Sequence, residues 1–257
     1  MQEFNTFSIV ARCPRTGVLG VAVATAVPAV GSTCPFTRSG VGAASTQSWV
    51  NPYLAIAALD GIERGQNAAD ALEAAIAADD GRSLRQIGIV DRNGRAASWS
   101  GSDCTPWFGH LTGDGFAAQG NMLAGPQTIA AMAGAFRDSE ACTLDERLMR
   151  ALEAGEAAGG DKRGKQSAAL RIHGAEAYPL LDMRVDEHPE PIPELRRILA
   201  IGRLQLAPFV AGMPKRGSAA GEAPGEVQAL LALSPPLRPG GGGSFPSEIA
   251  IRPDPAI

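Results

Sequence analysis

The sequence predicts an α+β fold, a four-layer α/β/β/α sandwich with two antiparallel sheets held between helix layers. Three observations lead there. Strand-type apolar stretches come in runs joined by tight-turn signals, the clearest being Asp91-Arg92-Asn93-Gly94, whose Asn-Gly pair marks a hairpin. Helical stretches come in pairs, one pair after residue 52 and another after residue 125. Single helices therefore do not alternate with single strands, which disfavours a doubly wound parallel sheet.

Taken in order, Thr6–Arg12 alternates and is rich in Phe, Ile and Val, so it reads as a strand. Pro14-Arg15-Thr16-Gly17 supplies a turn, and Val18–Thr25 returns as a nearly all-apolar second strand covered on both faces. Residues 26–40 read as irregular, with Pro28, Gly31, Pro35 and Gly40. Val41–Gln47 is a strand of small residues, which let a neighbouring element approach closely. Pro52 opens a helix that Gly61 and Gly65 are expected to break. A second helix over Ala68–Ala78 carries Ala71, Leu72, Ala75 and Ile76 on one stripe, with Asn67 as its cap. Strands follow at Gln86–Val90, Arg95–Trp99 and Phe116–Asn121, then helices from Pro126 to Phe136 and from Leu144 to Ala157. Gln166–Ile172 and Leu180–Val185 form a last strand pair, and Pro191 begins a helix running over Glu194–Leu206.

These elements place one domain at residues 6–213. Residues 214–257 form a Gly/Pro-rich tail expected to be largely disordered, with one short helical turn at Val227–Leu233. A formal net charge of −4 offers no attraction for nucleic acid or a membrane surface. No apolar run reaches the ~20 residues that a membrane span needs. Cys13, Cys34, Cys104 and Cys142 form no C-x-x-C pair, so they read as reduced thiols. Met1-Gln2-Glu3-Phe4 lacks the basic and apolar regions of a secretory signal, and the expected location is cytoplasmic. No Gly-rich phosphate loop is present, and no ligand spacing links His110, His173 and His188, so neither a cofactor nor a metal is expected. The acidic isoelectric point near 5.5 and the apolar helices allow a homo-oligomer.

Three further stretches carry groups suited to chemistry. Ser45, Thr46 and Gln47 end the small-residue strand, and as a partner of residues 6–12 that strand would bring hydroxyls beside Thr6, unless these are simply packed small residues. Gln119 and Asn121 lie in a Gly-flanked stretch before a helix, where their amides or nearby backbone N–H groups could hold an oxyanion, or serve only the turn. Between Gly159 and Ser167, two glycines permit unusual backbone, Asp161 and Arg163 set opposite charges close together, and Gln166-Ser167 starts a strand. Asp161-Arg163 reads either as a substrate-handling pair or as an ion pair that fixes the loop.

The opening Thr6–Arg12 resembles the start of the domain-of-unknown-function 1028 family. So do Gln119–Pro126, Ala158–Leu170 and Asp182–Pro189, and the likeness runs in order over residues 6–210. The family is grouped with the N-terminal-nucleophile (Ntn) hydrolases, so the resemblance implies the same layered sandwich and a hydrolase of a small-molecule amide or related C–N bond. It implies Thr6 as nucleophile, with its own α-amine as general base. Around that Thr the residues themselves suggest Asp161 to orient the amine, Ser45 nearby, and Thr46, Gln47, Gln119, Asn121, Arg163, Gln166 and Ser167 toward the substrate. A Thr hydroxyl is a poor nucleophile unaided, whereas an α-amine of pKa ~8 is partly neutral near pH 7. In the family this Thr usually follows the initiator Met, but here Met1 to Asn5 precede it, so the role requires cleavage of the Asn5–Thr6 bond. The alternative is a catalytically silent small-molecule-binding module on the same fold.

Overall fold

The structure, a computed structural model, describes residues 6–218 and 223–246. Its strands are β1 (Thr6–Arg12), β2 (Leu19–Thr25), β3 (Pro35–Arg38), β4 (Gly42–Ser48), β5 (Arg85–Asp91), β6 (Ala96–Ser100), β7 (Gly109–Gly113), β8 (Phe116–Asn121), β9 (Ser167–His173) and β10 (Leu181–Val185). Its helices are α1 (Pro52–Glu63), α2 (Ala68–Ala77), α3 (Gln127–Asp138), α4 (Leu144–Ala157), α5 (Pro191–Gly212) and α6 (Gly225–Ala232). The strands form a six-stranded sheet ordered β10-β9-β2-β1-β8-β7 and a four-stranded sheet ordered β3-β4-β5-β6. Every ladder is antiparallel. The two sheets pack face to face, with α3 and α4 on the larger and α1 and α2 on the smaller. This is the expected α/β/β/α sandwich.

The chain divides into two compact units, Met1–Ile198 and Leu199–Ile257. The first holds all ten strands and α1 to α4. The second holds α6, a turn of 3-10 helix at Pro235–Leu237 and the later part of α5. Gln205 of the second unit donates to the carbonyls of Pro239 and Gly241. The helical turn expected at Val227–Leu233 is the helix α6, and residues 219–222 and 247–257 of the tail lie outside the described residues.

Several expectations are corrected. β4 is not a neighbour of β1, whose ladders run to β2 and β8; β4 pairs with β3 and β5 and faces β1 from the opposite sheet. Two short strands were not expected: β3, in the stretch read as irregular, and β7, in a stretch assigned no element. Both are sheet edges with half-exposed side chains, so neither shows a buried alternation. Gly61 does not break α1. It lies in the helix where a Cβ would come within 3.1 Å of Ala71 Cβ, so it permits α2 to approach closely. The helix ends beyond Glu63, and Gly65 takes φ 106. Asn67 caps α2 as expected, accepting from the Asp70 backbone N–H at 3.0 Å. α5 continues past Leu206 through Pro208 to Gly212.

Strand periodicity allocates the cores. The outward face of β4 and β5 gives Ala44, Ile87 and Ile89 to α1 and α2, where they meet Leu54, Leu59, Ile62 and Ile76. The layer between the sheets is different, because only part of it is apolar. Val10, Leu19, Val21, Ala43, Val90 and Ala117 form a dry cluster toward one end.

Candidate functional site

The other end of the inter-sheet layer is polar and buried. Alternation along β1 places Ser8 and Val10 against the second sheet, and the same period brings Thr6 to that face. Thr6, Ser8, Ser45, Gln47, Gln86, Gln119 and Asn121 are each at most 1% exposed. Buried polar groups at this density need partners, since each unpaired one costs about 1–3 kcal/mol.

The partners come from each other. Gln119 Nε2 donates to Ser8 Oγ at 2.6 Å, and Ser8 Oγ donates to Gln47 Oε1 at 2.6 Å. Gln47 Nε2 donates to the Thr6 carbonyl at 3.1 Å and to Gln86 Oε1 at 2.8 Å. Asn121 Nδ2 donates to the same Gln86 oxygen at 3.0 Å. Gln86 Nε2 in turn faces Ser100 Oγ at 2.8 Å, the Gly120 carbonyl at 2.9 Å and the Gly109 carbonyl at 3.2 Å. The chain of amides thus ties β1, β4, β5 and β8 across the sandwich and fixes the backbone of Thr6.

Thr6 heads β1 opposite Thr25 on one side and Asn121 on the other. Its Oγ1 donates to Thr25 Oγ1 at 3.3 Å. The next backbone N–H after Thr25, that of Ala26, donates to Asp161 Oδ2 at 3.1 Å. The Asp161 carboxylate is 2% exposed, and it also accepts from the Arg163 backbone N–H at 2.9 Å and from Arg163 Nη2 at 3.2 Å. Gly159 and Gly160 deliver Asp161 to this place with φ of 117 and 51, a conformation that L side chains rarely adopt. Asp161 then bridges Leu123, just past β8. A cavity of about 80 Å³ adjoins the cluster, with Phe7, Thr25, Gly160, Asp161 and Lys165 in its wall.

Two residues at this end hold positive φ without being glycine. Ser48 (φ 66) follows Gln47 and Met122 (φ 50) follows Asn121. Such backbone costs about 1–3 kcal/mol and is found where the surroundings hold a functional side chain in place. Two polar atoms at this end, Ser45 Oγ and Asn121 Oδ1, are buried with no hydrogen-bond partner among the described residues.

The structure brings together Thr6, Ser45, Gln47, Gln119, Asn121 and, one residue beyond Thr25, Asp161 with Arg163. It does not bring Thr46, which alternation turns to the helix side, where its Oγ1 donates to the Asn51 carbonyl at 3.2 Å. Ser167 Oγ donates to the Val27 carbonyl at 2.5 Å and accepts from the Val30 N–H at 3.1 Å, so it shapes the turn after β2. Gln166 joins through its backbone, donating to the Thr25 carbonyl at 2.9 Å. Gln119 spends its amide within the network, on Ser8 and Ser98. Three members were missed from sequence: Ser8, Thr25 and Gln86. The signal was present, because each sits at an even step from a residue already singled out or from an inward apolar position of its strand.

Other reactive groups are poorly placed. Burial pushes the Cys34 thiol up to about 12, which holds it protonated. All four cysteines are free. Among the described residues no group of three or more His, Cys, Asp or Glu converges to hold a metal. Nor, among them, is any helix long and apolar enough to cross a membrane.

Fold and site together define an α/β/β/α sandwich protein with a buried hydroxyl and amide cluster at the head of its first strand. The chain belongs to the family of unknown function DUF1028, whose model matches residues 6–195. The crystal structure of protein SPO2555 from Silicibacter pomeroyi, a member of that family, is 30% identical, covering 83% of this chain and 97% of its own, with a TM-score of 0.77. Anbu (ancestral beta-subunit) from Yersinia bercovieri is 12% identical, covering 81% of this chain and 98% of its own, with a TM-score of 0.37, too distant to argue from. No curated protein matches the chain.

Proposed function

We propose that the protein is an Ntn-type hydrolase of a small amide or related C–N bond, with Thr6 as nucleophile once residues 1–5 are removed. The observation that carries this is the position of Thr6. It heads one of the two central strands of the larger sheet, its hydroxyl meets Thr25 at 3.3 Å, and its carbonyl is held by Gln47 at 3.1 Å. In this reading the freed α-amine takes the proton from Thr6 Oγ1 as that oxygen attacks the substrate carbonyl carbon. The C–N bond then breaks, the departing nitrogen leaves with the proton, and water hydrolyses the resulting ester to restore Thr6. The second hydrogen of Asn121 Nδ2, whose strand position is opposite Thr6, is the donor this reading assigns to a developing oxyanion.

Asp161 serves as a positioning residue. Its carboxylate anchors the backbone at Ala26 and so sets Thr25 against Thr6. Arg163 is paired with Asp161, which supports a loop-fixing part for it over direct capture of substrate. Free thiols and the absence of a spanning helix among the described residues fit a protein working in the cytoplasm, with a small-molecule substrate and room for self-association.

A second reading, a silent binding module, draws on one observation: Thr6 is 1% exposed and both its side-chain and carbonyl oxygens are already engaged. Intact-mass measurement of purified protein, paired with turnover of an amide panel, separates the two. The hydrolase reading expects a species that begins at Thr6 and loses turnover in Thr6→Ala. A stable chain that keeps residues 1–5 and hydrolyses no amide sinks it.

A further inference from the structure

The opposite end of β1 holds a second polar cavity, distinct from the Thr6 cluster. Seven residues of extended strand put its two ends about 20 Å apart. The cavity has a volume of about 470 Å³, inside the range of small-molecule sites. Arg12, Asn93, Asp114, Arg137, Glu140 and Arg147 line it. They come from the end of β1, the β5–β6 and β7–β8 turns, and the α3–α4 hairpin, so both sheets and a helix layer contribute.

What sets this cavity apart is that it gathers three arginines without an ion pair among the described residues. Elsewhere in the first unit Arg38, Arg85, Arg95 and Arg196 each meet a carboxylate at 2.9 Å or less. Here Arg12, Arg137 and Arg147 form no ion pair with any described residue, although Asp114 and Glu140 share the wall. Arg12 Nε is buried with no hydrogen-bond partner among the described residues. Arg137 lies 5.1 Å over the Phe116 ring. Arg147 is 6% exposed, lies 3.8 Å over the Phe136 ring, and gives Nε and Nη2 to the Phe136 carbonyl at 3.2 and 3.1 Å. The ring faces orient both guanidiniums and leave N–H edges over for a ligand. Burial draws Arg147 below its ordinary pKa, although the Glu140 carboxylate pulls the other way.

Three guanidiniums gathered around one recess repel each other unless an anion stands between them, and their planar forks suit an oxyanion in particular. We propose that this cavity binds a small oxyanionic molecule, gripped through a phosphate or carboxylate group by Arg12, Arg137 and Arg147. Asp114 and Glu140 are placed to accept from hydroxyl or amino groups elsewhere on the same molecule.

The test is calorimetric titration and thermal melting of the full chain at low ionic strength with inorganic phosphate and, separately, with succinate. Sodium chloride at matched ionic strength is the reference. At least one of the two anions should raise Tm above the chloride reference. Arg12→Gln and Arg137→Gln should each weaken that binding roughly tenfold or more, as expected for a lost charge-assisted hydrogen bond. Arg64→Gln, on the exposed end of α1, should leave it unchanged. A response to phosphate alone assigns a phosphate ester, and a response to succinate alone assigns a carboxylate. No gain over chloride overturns the proposal, and so does equal binding by wild type and Arg137→Gln. Arg137 is exposed, so its substitution leaves a folded chain for that comparison.

Discussion

Replacing Gln86 by Leu tests the inter-sheet network where most of it converges. The change keeps the approximate volume and removes both polar atoms. Gln86 is fully buried, and among the described residues its oxygen is the only acceptor for Asn121 Nδ2. Gln47 Nε2 loses one of two acceptors and keeps the Thr6 carbonyl. On the other side, Ser100 Oγ and the carbonyls of Gly109 and Gly120 lose a donor, although two N–H groups could never fully serve all three. One orphaned buried donor costs about 1–3 kcal/mol, and the weakened carbonyls add to it. The added apolar surface of Leu offsets part. The expected loss is about 2–4 kcal/mol, or roughly 5–15 °C in Tm for a chain of this size. Urea unfolding at constant m-value measures it. Asn121→Ala provides the sharper check, because it removes the donor that Gln86→Leu would strand. The double variant should then be less damaged than the sum of the singles by about 1 kcal/mol. A Gln86→Leu protein within about 0.5 kcal/mol of wild type, or strict additivity with Asn121→Ala, refutes the reasoning.

Three further outcomes follow from the same geometry. Burial holds the His173 pKa below its usual value; Nε2–H donates to the Glu176 carbonyl at 2.9 Å and Nδ1 accepts from Thr37 Oγ1 at 2.9 Å. The neutral ring is the folded form, so its contribution is whole above the unfolded pKa of about 6.5 and is lost as pH falls through the lower folded value. Urea midpoints should drop below pH 6.5, and His173→Gln should flatten that slope while leaving the share from His110, also lowered by burial. In Gly88→Ala the new Cβ would lie 1.9 Å from Gln119 Oε1, whose amide is pinned to Ser8, so a loss of about 1–3 kcal/mol is expected in thermal melts, partly recovered by adding Gln119→Ala. Asp161→Asn should abolish amide turnover in the hydrolase reading while circular dichroism stays native; an unfolded variant would give Asp161 a structural task alone.

Much of this was legible from sequence because period and turn chemistry act locally. The Asn93-Gly94 hairpin joins β5 to β6, β8 has the expected bounds Phe116–Asn121, and Asn67 caps α2. The short edge strands β3 and β7, with four and five residues and mostly half-exposed side chains, were not legible, whereas the equally exposed edge β6 was found through its Asn-Gly turn. The partners of β1 were also misread. Small residues in Val41–Gln47 signal close approach, and close approach across a sandwich looks in sequence like close approach within a sheet. The site was half legible for the same reason. Thr6, Gln47 and Asn121 stood out as polar residues near strand ends, but Gln86 gains its importance only when β5 lies across from β8, a contact between segments more than thirty residues apart.

The uneven filling of the inter-sheet layer has a consequence for how the strands find their alignment. Sliding β1 by one residue would send Phe7 and Ile9 inward and turn Ser8 toward the helices, away from Gln47 and Gln119, an error that the change of face already rejects. Sliding it by two residues keeps every side chain on its proper face, and a layer built only of Val, Leu and Ala would tolerate that mistake. Here it would carry Ser8 away from Gln47 and Gln119, stranding three buried amide or hydroxyl groups at once. The glutamines therefore act as a key cut for one alignment, and they place Thr6, the first residue of that strand, at a single height in the sandwich.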